Sequence, residues 1–163
     1  MHEYLIKESS AEGRPDLLFL GEFAHNSFIG KMGHLACFVP GMLAIGSKIL
    51  DRPKDLETAK SLAETCYWLY NATETGIGPE EVWLDVNVGN KTLYYSRMSE
   101  TSDGIFRTDN RYLLRPVTGD KEYQEKGWKI WESIEKWCKT PTAYSGLYDV
   151  TSVEKLQNDN MER

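Results

Sequence analysis

The chain has 163 residues, 40% of them hydrophobic, and a net charge of -6 at pH 7. This length is enough for one domain with a sizeable core. With 19 lysines and arginines against 25 acidic residues it has no basic stripe, which argues against a nucleic-acid binder. No window approaches 18 apolar residues, so no membrane segment is predicted. The aromatic content fits either a thick core or a surface on which sugar rings stack, and composition does not choose between them.

The first thirty residues predict little regular structure. Residues 2 to 9 resemble the end of a helix, and "RPDLLFLGEF" reads as a turn that leads into a short extended run. The amino terminus "MHEYLIKESS" lacks a basic region followed by a long apolar core. We therefore predict no secretory signal within this chain.

The stretch "KMGHLACFVPGMLAIGSKIL", Lys31 to Leu50, is an apolar, helix-like run with two unusual features. His34 stands at its entrance, and Pro40-Gly41 interrupts its first turns. The histidine lies near the partial positive charge expected at a helix amino terminus. It is either a cap or satisfied surface group, or a residue of a functional site.

The segment "DRPKDLETAKSLAETCYWLYNATETGIGPE" contains the most regular helical pattern in the chain. Apolar residues recur at helical spacing from Leu56 to Tyr70. Pro53 marks the start, and Gly76 and Gly78 are predicted to end the run. We expect a long amphipathic helix here.

The second half of the chain mixes short strands with one further helix. "EEVWLDVNVGNKTLYYSR" predicts two extended runs, Val82 to Val86 and Thr92 to Ser96, joined by a turn. "DKEYQEKGWKIWESIEKWCK" has one apolar face at helical spacing. The tail from Thr140 to Arg163 is polar and turn-like, with no closing element predicted. These elements favour an all-α architecture with short β-hairpin excursions.

In addition to His34, three pairs of charged residues are candidates for a functional site: Glu80 and Glu81, Arg111 and Arg115, Asp159 and Glu162. Each pair is compatible with a solvated surface as well as with a site. An arginine held against a carboxylate would keep that acid ionised. Two carboxylates across an aromatic pocket are what glycoside hydrolysis requires. Spacing alone does not assign such a pair here.

The chain has two N-glycosylation sequons and three cysteines. Asn71 and Asn90 begin the sequons, which are either glycan acceptors in the secretory pathway or chance occurrences. A bridge between Cys37 and Cys66 would close a loop of about 30 residues and stabilise the fold by about 3.6 kcal/mol. The alternative is that these two and Cys138 are buried thiols. No Cys-x-x-Cys or His-x-x-x-His spacing predicts a metal site.

Taken together, the motifs resemble those of the class I α-1,2-mannosidases, glycoside hydrolase family 47. The matching stretches occur in the family's order: "GEFAHNSFIGKMGHLACFVPGMLAIGS", "AETCYWLYNATETGIGPE", "YYSR...DNRYLLRP", "TGDKEYQEKGW" and "DNME". They cover nearly all of residues 1–163. The resemblance implies that these residues form part of one catalytic domain. The implied fold is a fragment of an (α/α)7 barrel. The implied reaction is inverting, calcium-dependent hydrolysis of α-1,2-linked mannose on a high-mannose N-glycan, in the endoplasmic reticulum or Golgi.

The resemblance also implies roles for individual residues. Glu80 is similar to the acid of the family's Gly-Pro-Glu motif and is the expected catalytic residue. His34 resembles a family residue that faces the pocket, and Arg115 resembles the arginine just before a catalytic glutamate, so both are expected to bind substrate. Cys37 and Cys66 match the positions of a disulfide found in many members. Pro40-Gly41 resembles a break that the family has in the same helix.

The chain departs from the family pattern at several catalytic positions. The glutamate and the acid-containing helix that follow Arg115-Pro116 in the family are missing, and Gly33 stands where a pocket acid is usual. The resemblance places the other carboxylates before Met1 and the calcium-binding threonine beyond Arg163. We therefore expect this chain to be inactive by itself and activity to reside in the complete protein. The alternative is a non-catalytic glycan-binding or glycoprotein quality-control module.

Overall fold

The computed structural model describes residues 3–8, 17–84, 93–95, 117–154 and 157–158. The strands are β1 (Glu3–Glu8), β2 (Leu18–Ala24), β3 (Ser27–Ile29), β4 (Lys31–Gly33), β5 (Glu81–Leu84), β6 (Leu93–Tyr95), β7 (Gly146–Leu147) and β8 (Gln157–Asn158). A 3-10 helix (His34–Phe38) precedes the α-helices α1 (Val39–Ile49), α2 (Pro53–Asn71) and α3 (Glu122–Trp137). The described part is mostly helical, as predicted, but its antiparallel sheets, in the orders β1-β2-β3 and β4-β5-β6, are more extensive than hairpin excursions.

The predicted helix end at residues 2 to 9 is wrong, because this segment is strand β1. It pairs antiparallel with β2, from Glu3 opposite Phe23 to Glu8 opposite Leu18. The run Tyr4, Leu5, Ile6 is rich in residues that favour strands when a partner is available. That partner lies ten residues further along the chain, beyond what a local pattern reveals. The extended run predicted after the turn is confirmed as β2.

The Pro40-Gly41 pair lies at the start of α1 and does not interrupt it. Residues His34–Phe38 form a 3-10 helix, and Val39 and Pro40 open the α-helix that follows. Proline is tolerated in a first helical turn because its missing N–H would have no partner there. The predicted break is therefore a change of helix type, from 3-10 to α.

The long helix predicted in the first half is confirmed as α2. Pro53 occupies its first turn, and the Asp55 carboxylate there pairs with Arg52 at 3.0 Å. An acid in the first turn is stabilised by the helix dipole. The helix ends at Asn71, five residues before Gly76, so its predicted end is wrong. Gly76 instead takes the left-handed conformation, with φ 70°, inside the loop that follows.

The main core surrounds a disulfide between Cys37 and Cys66, whose Cα atoms are 5.9 Å apart. Both cysteines are buried, and they pack with five apolar residues from α2, the strands and the residue before β2: Leu17, Phe19, Met32, Leu69 and Val82. The Thr65 hydroxyl also donates to the Leu18 carbonyl at 2.5 Å, which fastens β2 to α2. The alternative of three buried thiols is excluded, and Cys138 alone keeps a buried thiol.

The second core lies under α3 and contains part of the tail. Leu147 and Val150 are buried against Ile130 and Ile134 of α3. Strand β7 pairs with β8, so the prediction that the tail has no closing element is wrong. The apolar residues of the tail are few and widely spaced, so the polar composition around them concealed this packing.

The outer face of the 3-10 helix and α1 carries an apolar stripe that the described part of the chain leaves exposed. Its members follow one another at intervals of three and four residues, and their exposed fractions run from 39% to 75%: Leu35, Phe38, Met42, Ile45 and Ile49. This spacing is typical of a helix seam that packs against another helix. The opposite face packs on α2 through Ala44, Ala59 and Ala63.

Lys126 joins α3 to α2 by charge. Its buried ammonium pairs with the carboxylates of Glu64 on α2 and Glu122 on α3, the latter at 2.6 Å. It also lies 5.2 Å from the ring centroid of Tyr67 and 5.7 Å from that of Tyr123. Burial acts to lower the pKa of Lys126, but its hydrogen bonds to Glu122 and Glu64 outweigh burial and raise the pKa overall. The lysine is thus a structural link that stays charged.

We predict that the free energy of unfolding falls at alkaline pH because of groups in this cluster. Burial, followed by the nearby Glu64, Asp120 and Glu122 carboxylates, raises the pKa of Tyr123 to about 12. An unfolded tyrosine releases its proton near pH 10, so above that pH the unfolded chain binds fewer protons and the free energy of unfolding falls. The raised pKa of Lys126 acts in the same direction above its ordinary value of 10.5.

Tyr123→Phe is therefore expected to flatten the loss of stability between about pH 10 and about pH 12, by on the order of 2 kcal/mol. Urea unfolding followed across this range measures the effect. The matched control is Tyr148→Phe, which removes a phenol from an exposed side chain. Parallel stability curves for wild type and Tyr123→Phe would contradict the prediction.

A second prediction concerns the disulfide. The double variant Cys37→Ala/Cys66→Ala should lower the free energy of unfolding by about 3.6 kcal/mol, because the unfolded chain loses a cross-link that closes about 30 residues. Cys138→Ala removes a buried sulfur without a cross-link and should cost less. Urea unfolding compares the variants, and mass spectrometry of the denatured wild type should find a single reactive thiol. Three reactive thiols would contradict the bridge.

Candidate functional site

Three segments of the chain converge on His34. The residue follows β4 directly and begins the 3-10 helix. Its backbone N–H donates to the Glu80 carbonyl at 2.7 Å, one residue before β5 begins. This bond continues the antiparallel pairing of β4 with β5, in which Gly33 lies opposite Glu81. The third segment is the carboxyl end of α2, which supplies Tyr70.

The His34 imidazole is bonded to a buried tyrosine. The Tyr70 hydroxyl and the His34 Nε2 atom are 2.8 Å apart, within hydrogen-bond distance. The two rings meet edge to face, with centroids 5.6 Å apart and an angle of 83° between their planes. His34 is half-buried and Tyr70 is buried, so the tyrosine supports a histidine that solvent still reaches.

The Tyr70 ring is held by two sets of contacts. A Cβ atom placed on Gly78 would lie 2.8 Å from the ring carbon Cε2, so the loop after α2 packs directly on the ring face. Tyr70 also belongs to the core under α3, together with Ile130 and Ile134. The Thr73 hydroxyl contributes to the loop shape because it lies 2.9 Å from the carbonyls of both Tyr70 and Ile77. The ring therefore has little room to move.

The two adjacent glutamates have different surroundings. Glu81 forms an ion pair with Lys31 across β4 and β5, at 2.6 Å. The neighbouring Glu80 is half-buried, and within the described part of the chain no hydrogen-bond or ion-pair partner reaches its carboxylate. Of the two, Glu80 is thus the carboxylate available to a ligand.

Gly33 has ordinary extended backbone geometry. Its φ is -83° and its ψ is 155°, values that any residue adopts. A Cβ atom at this position would find one neighbour within 4 Å, the Glu80 carbonyl oxygen, at 4.0 Å. The backbone therefore does not require glycine at position 33.

The structure brings together some of the predicted site residues and is silent on others. His34 and Glu80 are joined through the backbone, and Cys37 and Cys66 through the disulfide. Asn71, the last residue of α2, has an exposed side chain. Five predicted residues lie outside the described part of the chain: Asn90, Arg111, Arg115, Asp159 and Glu162.

Tyr70 was missed as a site residue by the sequence analysis, which counted it only as an apolar member of the α2 stripe. A signal was available, because a buried tyrosine usually bonds its hydroxyl to a partner. Tyr70 also stands one helical turn after Cys66, on the same face of α2. What the sequence does not reveal is which polar group the hydroxyl meets.

The described residues do not by themselves fit a calcium site. Calcium takes six to eight oxygen ligands in proteins, several of them from carboxylates. Over residues 3–8, 17–84, 93–95, 117–154 and 157–158, no group of three or more histidines, cysteines, aspartates and glutamates comes together. No step of a reaction is therefore assigned to a metal here.

The comparison with family models decides the family. The model described as "Glycosyl hydrolase family 47" matches residues 1–163, the full sequence. The chain belongs to glycosyl hydrolase family 47. A solved structure, "alpha-1,2-mannosidase from Trichoderma reesei", matches this family 47 chain with a TM-score of 0.76 at 29% identity. The match covers 91% of this chain and 34% of that one, so the fold of the mannosidase is present in part.

Curated relatives of this family 47 chain carry mannosidase names. The human "Endoplasmic reticulum mannosyl-oligosaccharide 1,2-alpha-mannosidase" is 37% identical over 157 residues, which cover 90% of this chain and 22% of the human protein. A "Mannosyl-oligosaccharide 1,2-alpha-mannosidase" of Arabidopsis thaliana is 33% identical over 97% of this chain and 30% of its own length. The chain thus spans less than a third of either relative. Among its described helices, none is both long and apolar enough to span a membrane.

We predict opposite outcomes for alanine at two glycines of the site. Gly78→Ala should destabilise the fold by about 1–3 kcal/mol, because its methyl group would overlap the fixed Tyr70 ring. Gly33→Ala should be neutral, or stabilise by up to about 1 kcal/mol, because the backbone is already extended and the space is open. Thermal and urea unfolding of both variants measure the difference. Equal effects would show that Gly78 does not pack on Tyr70.

Proposed function

We propose that residues 1–163 are part of the catalytic domain of a calcium-dependent, inverting α-1,2-mannosidase that trims high-mannose N-glycans. The observation that carries the proposal is the family 47 match over all 163 residues. The named activities of the human and Arabidopsis relatives support the same substrate class. The complete fold proposed is an (α/α)7 barrel, of which this chain forms a portion.

Within that domain we assign roles to three residues. Glu80 is the proposed catalytic residue, because of the two adjacent glutamates its half-buried carboxylate is the one that no partner engages in the described part of the chain. His34 is proposed to bind the sugar, since its ring is supported by Tyr70 and still reached by solvent. Arg115 is proposed as a second substrate-binding residue on resemblance alone.

We expect this chain to be inactive without the rest of the protein. Inverting hydrolysis needs two carboxyl groups about 6.5–9.5 Å apart, one as acid and one as base. Beside Glu80, the adjacent Glu81 is engaged by Lys31 and position 33 is a glycine. The calcium and the remaining carboxylates are proposed to come from outside residues 1–163.

The apolar stripe along the 3-10 helix and α1 supports a role within a larger protein. Its five large apolar side chains are exposed in the described part of the chain, and exposed apolar patches of this kind mark interaction surfaces. The chain also spans 22% of its human relative. Because most of the relative's length lies outside this chain, we propose that a helix from the rest of the domain packs on the stripe.

We place the protein in the endoplasmic reticulum or Golgi lumen. The Cys37–Cys66 disulfide is typical of an oxidising compartment. The human relative is named as an endoplasmic reticulum enzyme. Asn71 is exposed, which a glycan acceptor requires, and we propose it as a modification site together with the sequon at Asn90.

A non-catalytic glycan-binding or quality-control module is the second candidate. Gly33 favours it, because the site keeps His34 and Glu80 but has no acidic side chain at position 33. Such a module would bind a mannose-terminated glycan without cleaving it, and without calcium.

The test incubates the purified chain with a glycan ending in Manα1,2Man and measures both released mannose and binding. We predict no mannose release, from wild type or from Gly33→Asp, since the calcium and the carboxylates proposed to lie outside residues 1–163 are absent from both proteins. Release of mannose by the wild-type chain would contradict the proposal that this chain is inactive without the rest of the protein. Binding that survives calcium chelation, and that His34→Ala abolishes while the control His25→Ala does not, would favour the module instead.

A further inference from the structure

The bond between Tyr70 and His34 has a direction that the chemistry of the two groups sets. A phenol is a stronger acid than a neutral imidazole N–H, and an imidazole nitrogen is a stronger base than a phenol oxygen. The stronger of the two possible hydrogen bonds is therefore the one in which the Tyr70 hydroxyl donates to His34 Nε2, across 2.8 Å. Since a neutral imidazole carries one ring proton, that proton must then be on Nδ1.

The second ring nitrogen of His34 is left for a ligand. The described part of the chain gives His34 two hydrogen bonds, one from its backbone N–H to Glu80 and one at Nε2. No protein group in that part bonds to Nδ1. His34 is half-buried, so part of the residue remains exposed to solvent.

We infer that Tyr70 is a positioning residue that holds His34 in its Nδ1–H tautomer, so that the ring presents an N–H donor to a hydroxyl oxygen of the bound sugar. The identity of that ligand rests on the proposed function. The tautomer itself is a property of the chain without any ligand.

The packing around Tyr70 explains why the hydroxyl stays in place. Gly78 packs against the ring, and Tyr70 is buried as a member of the core under α3. Tyr70 and Cys66 are one turn apart on α2, and Cys66 is bonded to Cys37, three residues after His34. The donor and the acceptor are thus on segments that a covalent bond holds together.

The fixed tautomer has a consequence for recognition. An N–H at Nδ1 can donate to any sugar oxygen that has a free lone pair, whereas the opposite tautomer would offer only an acceptor there. The site would therefore favour a ligand group that accepts a hydrogen bond. A Tyr70→Phe change would keep the ring packing and remove this preference.

The test is long-range proton–nitrogen NMR of the full chain labelled with nitrogen-15, at about pH 8.5, where an unperturbed imidazole is neutral. In the wild type, His34 should show a protonated Nδ1 and an unprotonated Nε2. His25, exposed on the β2–β3 turn, should show the Nε2–H form that predominates in free histidine. In Tyr70→Phe, the His34 signals should change to the His25 pattern.

Tyr144→Phe is the matched control, because it removes a tyrosine hydroxyl that bonds to Glu135, away from His34. It should leave the His34 pattern unchanged. A wild-type His34 that is mainly in the Nε2–H form would overturn the inference, as would an unchanged tautomer in Tyr70→Phe. If Tyr70→Phe does not fold, the wild-type spectrum decides alone.

Adding a Manα1,2Man disaccharide to the same sample separates this inference from the proposed function. A change in the His34 nitrogen signals upon titration supports sugar binding at the ring. An Nδ1–H tautomer without any response to the sugar would uphold the positioning role and count against the proposed ligand.

Discussion

The Cys37–Cys66 disulfide is the constraint on which the arrangement around His34 depends. It joins the 3-10 helix to α2 inside the main core. One sulfur belongs to the helix that His34 begins, and the other lies one turn before Tyr70. A covalent bond therefore holds together the two segments that carry the histidine and its supporting tyrosine. Burial of both cysteines keeps this link away from solvent and from reducing agents.

Backbone pairing and charge add two further fixed points to this link. The pairing of β4 with β5 brings Glu80 next to His34. The ion pair between Lys31 and Glu81 also joins these two strands. Of the two adjacent glutamates, Glu80 keeps an unengaged carboxylate beside the oriented imidazole of His34. These two groups are therefore fixed in place by contacts that neither side chain itself makes with a ligand.

Sequence patterns predict the parts of this fold that rest on local periodicity. Helices α2 and α3 follow from apolar spacing, since each buries one face along its own length. Strand β1 does not, because its identity depends on a partner strand ten residues away. Tyr70 shows the same limit within the site. The helical pattern places its ring in the core, but only tertiary structure shows that its hydroxyl meets His34.

The extended backbone at Gly33 bears on how this chain could change in evolution. Every glycine codon is one nucleotide away from a codon for aspartate or glutamate. Since the strand geometry and the open space at position 33 accept a side chain, such a mutation would meet no structural barrier. A carboxylate at position 33 is therefore separated from the present sequence by a single point mutation that leaves β4 intact.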